Sequence, residues 1–272
     1  MYEQGRALSV LTNMNEFITL DFIDLGWSLG IIGIAVVLSS WQRLGLEGQL
    51  IFAAARSLLQ LLVVGYIIAI IFALNNPIAV LGILGVMVTV AAIVARNRIG
   101  KKTKGMLPII WGSLFVSSAL SLSYIIILIV RPVTWYSPQY LIPLAGMVLG
   151  NAMNGASLAG ERLASLISHN RLEVETYLCL GATPKQAIAA YRQEAIRISL
   201  IPTLNQMLVV GIVSLPGMFT GQVLAGVDPV DAASYQILIL FAIALTNLLA
   251  ALLVAEGVYR RFFNQNAQLT LP

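Results

Sequence analysis

The sequence contains one cysteine, Cys179, and one histidine, His169. A lone thiol excludes an internal disulfide framework and a cysteine-based metal cluster. A lone imidazole, set in a polar stretch, excludes a histidine metal cluster and any histidine-centred catalytic set. No Ser-His-Asp arrangement, HExxH, P-loop or GxGxxG context is present. These absences speak against an enzyme, and they place any ATP-driven step on a separate ATPase chain. Charge is also scarce. Only 10% of residues are Asp, Glu, Lys or Arg, against about 25% in soluble domains. With 58% hydrophobic residues and a mean hydropathy of +0.87, the chain is not a soluble globular domain. The net charge of +4 does not argue for nucleic acid, because charge in such a chain encodes membrane topology.

What is abundant is long apolar sequence. Seven runs meet the length of a transmembrane helix: 24–40, 54–74, 77–95, 107–130, 140–160, 198–220 and 235–256. They predict an all-α, polytopic membrane protein and leave no room for a soluble catalytic domain. If the N-terminus is outside, fourteen of the sixteen Lys and Arg fall on the cytoplasmic side and only Arg6 and Arg131 fall outside. The positive-inside rule therefore selects N-out, C-in. The expected division is an exterior tail over 1–23, one transmembrane domain over 24–261 and a cytoplasmic tail over 262–272. The leading segment carries Glu3, Glu16, Asp21 and Asp24 and lacks the basic start of a cleavable signal peptide. Residues 43–56 read as an amphipathic segment along the inner surface, Asn75-Asn76-Pro77 as a tight exterior turn and 131–139 as an exterior loop. Pro202 and Pro216-Gly217 predict kinks in the sixth span.

One stretch is not apolar. Residues 161–197 hold nine of the chain's 28 charged residues. The fifth span has no proline after Pro143 and is expected to continue into the cytoplasm. Within this stretch Gly181 suits a helix end, Thr183 an N-cap, Pro184 the first helical position and Gln186 the return half of a capping box. The expectation is a helical hairpin with the tip Leu180-Gly181-Ala182 in water. Asp228-Pro229 likewise reads as N-cap and first position of the last span. Glu161 and Arg162, at the inner boundary, suggest structural ion pairing, and Glu256 a pair with a basic neighbour.

Two segments are dense in small residues. In GMVLGNAMNGASLAGER, Gly146 and Gly150 make a GxxxG, and Ala156 and Gly160 a looser version. In SLPGMFTGQVLAG, Gly217 and Gly221 make another. Such faces let helices approach closely. Asn151 and Asn154 share a helix face with Met147 and Leu158; carboxamides at membrane depth need partners or water. Met218 and Gln222 are i, i+4. With Met153 they supply soft and neutral donors suited to weak transit of a cation rather than a tight metal site. Interhelical hydrogen bonding and ordinary packing explain the same spacings.

The blocks GNAMNGASLAGERL, LGATPKQA and SLPGMFTGQVLAGVDP, in this order and spacing, resemble the FetB-type permease family. These are bacterial ABC-transporter membrane subunits linked to iron export, and plant aluminium-tolerance half-transporters look like relatives. The likeness extends from about residue 25 to 261. It implies a homodimer of this chain in a bacterial inner membrane, with two cytoplasmic ATPase subunits using ATP and no cofactor bound by the chain itself. Glu175 and Gly181 have the E-x-x-x-x-x-G spacing of the loop by which many ABC permeases engage their ATPase. The rest of that importer motif matches poorly. Leu178, Leu180, Ala182, Thr183, Pro184 and Lys185 complete the expected contact. Asn151, Met153, Asn154, Met218 and Gln222 are the expected route of a small cationic substrate such as iron; relatives are also tied to nucleotide sugar. An ion-coupled secondary transporter would want a mid-membrane acid or histidine, and a membrane scaffold would use the elbow only for docking.

Overall fold

The computed structural model describes residues 21–74, 76–99, 105–264 and 266–270. Residues 1–20 of the expected exterior tail, Asn75 of the expected turn, and Lys101, Lys102 and Lys104 lie outside the described residues, and Asp21 to Ile23 of that tail belong instead to the start of the first helix. The described chain is a polytopic all-α membrane protein with no strand. It forms two compact units, one ending at Leu74 and one beginning after it.

The first unit is a helical hairpin, α1 (Phe22–Trp41) and α2 (Glu47–Leu74). Asp21 caps α1 with Asp24 in a reciprocal box. The turn between the helices uses positive φ at Arg43 (51°) and Gly45 (70°). Ser39, nearly fully buried, donates to Glu47 Oε1 at 3.0 Å and accepts from the Leu46 amide at 3.3 Å. The expected separate surface segment over 43–56 is not present. Nothing in 47–74 breaks a helix, so the chain restarts at Glu47 and runs unbroken to Leu74.

The second unit holds α3 (Pro77–Ile99), α4 (Met106–Tyr124), α5 (Pro138–His169), α6 (Arg171–Cys179), α7 (Pro184–Ala187), α8 (Ala189–Val209), α9 (Gly217–Leu224) and α10 (Pro229–Phe262). A π-helical segment, Ile125–Val130, prolongs α4. α5 and α10 pack together at the centre, flanked by α3, α4 and α8. Small residues bring them close: Ala92, Ala95, Ala145, Ala152, Ala156, Ala159, Ala250, Ala251 and Ala255 are buried. A Cβ on Gly160 would stand 2.5 Å from Ile99 Cδ1 and 3.1 Å from Val254 Cγ1. Any larger residue there would force Ile99 and Val254 to shift, so glycine favours this close approach of α5 to α3 and α10.

Five of the expected spans are helices long and apolar enough to cross a membrane: Glu47–Leu74, Pro77–Ile99, Met106–Val130, Pro138–His169 and Pro229–Phe262. The apolar part of α1, Gly26–Trp41, is shorter. The segment 198–220 is not one kinked helix. α8 passes through Pro202 and ends at Val209; Val210 is extended, Gly211 takes φ +82°, and the Gly211 amide donates to Ser214 O at 2.9 Å. α9 then begins after Pro216. Proline lacks an N–H and drives its predecessor out of the helical region, and Gly211 pays little for φ > 0. These residues turn the expected kink into a break. Asp228 caps α10 as expected, accepting from the Val230 and Asp231 amides.

Candidate functional site

α5 has 32 residues, about 48 Å at the helical rise and longer than the roughly 30 Å hydrocarbon core. It ends at His169, and α6 and α7 form an elbow beyond it. The tip is built from hydrogen bonds the sequence encodes. Gly181 takes φ +89°; its amide donates to Leu178 O and the Ala182 amide to Tyr177 O, both at 3.0 Å. This is the paired pattern that closes a helix at glycine. Thr183 opens α7. Its amide donates to Gln186 Oε1 at 2.9 Å, and the Gln186 amide donates back to Thr183 Oγ1 at 3.4 Å. Pro184 takes the first helical position.

Val174, Ala187 and Ile188 of the elbow are buried. Its tip faces outward: Leu180 is 78% exposed, while Leu178, Ala182 and Pro184 are half-buried. Glu175 accepts from Arg171 Nε at 2.7 Å. Lys185 stands 5.8 Å from the centre of the Tyr259 ring. Burial, and then the nearby Glu173 carboxylate, push the Tyr191 phenol up to about 12. Two ion pairs at this end, Arg162–Glu194 and Arg192–Glu256, join different helices. Arg162 donates to Glu194 at 2.8 Å rather than pairing with its neighbour Glu161. Glu256 accepts from Arg260 at 3.1 Å and lies 3.9 Å from Arg192.

Deeper in the second unit, α5, α8 and α10 enclose a polar cavity of about 110 Å³. Asn151, Asn154, Ser199, Thr203, Gln206 and Asn247 line it. Asn247 is 2% exposed. Its amide donates to Thr203 Oγ1, and its Oδ1 has no partner. Gly155 makes room for it: a Cβ there would stand 3.3 Å from Asn247 Cγ. At one edge Arg98 Nη1 donates to Asn154 Oδ1 at 2.7 Å. The lining offers hydroxyl and carboxamide groups and no carboxylate. Its size suits several waters or one small polar occupant.

The five residues expected along a substrate route do not form one site. Asn151 and Asn154 line the cavity; Met153, on the same helix, does not, and neither do Met218 and Gln222 on α9. Gln222 is half-buried with its Oε1 enclosed and unpartnered. Ser199, Thr203, Gln206 and Asn247 were absent from the sequence-derived set. Asn247 stands alone as a carboxamide in the apolar run LFAIALTNLLAALL, which is a signal in itself. The small-residue faces also divide. Gly155 and Gly160 are used inside the chain, and a Cβ added at Gly146 would stand 3.5 Å from Met87 Cε, whereas among the described residues Gly150, Gly217 and Gly221 face open space.

Residues 22–263 match the family described as "Uncharacterised protein family (UPF0014)". The chain is 60% identical over 255 residues to "UPF0014 membrane protein slr1647" of Synechocystis sp., covering 94% of this chain and 98% of that one. It is 32% identical over 253 residues to "Probable iron export permease protein FetB" of Escherichia coli, covering 91% and 94%. It is 34% identical over 239 residues to "UPF0014 membrane protein STAR2" of Oryza sativa, covering 88% and 82%. No solved structure matches the chain.

Proposed function

The chain belongs to the UPF0014 family of membrane proteins, and on that premise we propose that it is the membrane-spanning permease subunit of an ABC transporter. In this reading two copies assemble in a bacterial inner membrane, N-out and C-in, with cytoplasmic ATPase subunits. The chain does no chemistry of its own. The cargo is a metal ion such as iron, moved outward; the name of the Escherichia coli relative supports this choice. Asn151, Asn154 and Asn247, with the hydroxyls of α8, line its path.

The observation that carries the reading is the elbow. A leucine 78% exposed stands on a tip fixed by a glycine closure and a capping box, past the end of a helix longer than a membrane. Burying one leucine is worth roughly 1.5–3 kcal/mol, and here that gain is left for a partner. In the coupled complex Leu180 fills a groove on the ATPase, so ATP-driven movement of the ATPase is transmitted through α6 and α7 to α5 and α8. Leu180→Asp is expected to abolish co-purification of the cognate ATPase while the chain still inserts at its normal level. Undiminished ATPase binding and transport by Leu180→Asp would overturn the reading.

A further inference from the structure

Beside the elbow, where the start of α8 meets the end of α10, a second cavity of about 500 Å³ opens to the surface. Its lining changes character along its length. Lys185 and Arg192 supply positive charge nearest the elbow, Arg197 follows Ile196 about 7.5 Å further along α8, and Leu200 and Leu252 supply an apolar floor beyond it. From Arg192 to Leu200 the helix rises about 12 Å, so charge gives way to hydrocarbon over the depth of a lipid's polar region.

The charge in this cavity is not balanced from within. Its one carboxylate, Glu256, is already engaged by Arg260 at 3.1 Å. Arg192 reaches it only at 3.9 Å, and Arg192 Nε is buried with no partner. Arg197 forms no ion pair among the described residues. A buried guanidinium N–H without an acceptor is costly, and guanidinium groups match phosphate oxygens with paired donors. Oxygen acceptors at one end and hydrocarbon at the other describe an amphiphile.

We propose that this cavity binds an anionic phospholipid of the leaflet on the elbow side. The headgroup phosphate lies between Arg192 and Arg197, and an acyl chain lies along Ile196, Leu200 and Leu252. The site spans α8 and α10, and Lys185 of α7 stands at its rim. A bound lipid therefore steadies the base of the elbow. This goes beyond the transport reading and does not depend on an ATPase.

The test uses the full chain, purified in detergent and offered equal amounts of phosphatidylglycerol and phosphatidylcholine, with retained lipid counted by native mass spectrometry. The chain is expected to keep one phosphatidylglycerol per copy with about tenfold preference or more, from roughly a tenfold factor per 1.4 kcal/mol and about 1 kcal/mol per basic residue. Arg192→Gln/Arg197→Gln should lose that preference, as should Arg197→Gln alone in part. Arg162→Gln, whose residue lies outside the cavity, should keep it. Excess inorganic phosphate should not displace the lipid, because it has no chain to lay on the apolar floor. Equal retention by the double variant would overturn the site. Displacement by inorganic phosphate would overturn the lipid assignment in favour of a small-anion site.

Discussion

At Asn247 a buried side chain meets the proposed transport path. Its Oδ1 is enclosed and unpartnered, a condition that costs about 1–3 kcal/mol unless water or cargo answers it. Asn247→Leu removes that cost but also the donor to Thr203, so thermal unfolding of the purified chain is expected to change little, while metal efflux from cells falls. Lower stability with efflux retained at normal protein level would assign Asn247 to packing alone. Thr183 is simpler. Thr183→Ala removes the cap hydroxyl and should cost about 1 kcal/mol locally, seen as faster hydrogen exchange at the Gln186 amide with little change in global unfolding. The elbow was legible in the sequence because Gly181, Thr183, Pro184 and Gln186 act on their own neighbours. The cavity was not, because Asn151 meets Thr203 and Asn247 only after three distant helices choose which faces to bury.

At the scale of elements, apolar length matched five of the seven expected spans with helices long enough to cross a membrane (the apolar part of α1 is shorter). It failed over 198–220, where Gly211 and Pro216 outweigh hydropathy and split the passage between α8 and α9. It also missed that α2 starts at Glu47, since a segment with mixed character can simply extend a neighbouring span. The proposed orientation rests on basic residues, several of them outside the described residues. Val133, in the loop before α5 and fully exposed, provides a test. Val133→Cys in a Cys179→Ser background should react with an impermeant maleimide added to intact cells, and Cys179 of the unaltered chain should not. The reverse pattern would invert the topology.

For the whole molecule, glycine substitutions separate assembly from folding. Gly160→Leu drives atoms into Ile99 and Val254 and should lower the level of folded chain outright. Among the described residues, nothing outside their own stretch of helix lies within 4 Å of a Cβ added at Gly150 or Gly221. Loss of the dimer in Gly150→Leu or Gly221→Leu would therefore report a second copy rather than a damaged fold. Cross-linking in membranes should show monomer for at least one of them and dimer for the parent chain; dimers in both would move the interface elsewhere. The sequence marked these glycines as one class, and packing divides them.

The most direct test of the central claim uses the chain's single cysteine, which is exposed next to Leu180 on the elbow. Inside-out membrane vesicles carrying the chain are treated with an impermeant maleimide, with and without the cognate ATPase subunit. The account predicts rapid labelling of Cys179 in the chain alone, strong protection when the ATPase is bound, and loss of that protection in Leu180→Asp. Labelling of Cys179 at the same rate with and without the ATPase would contradict it.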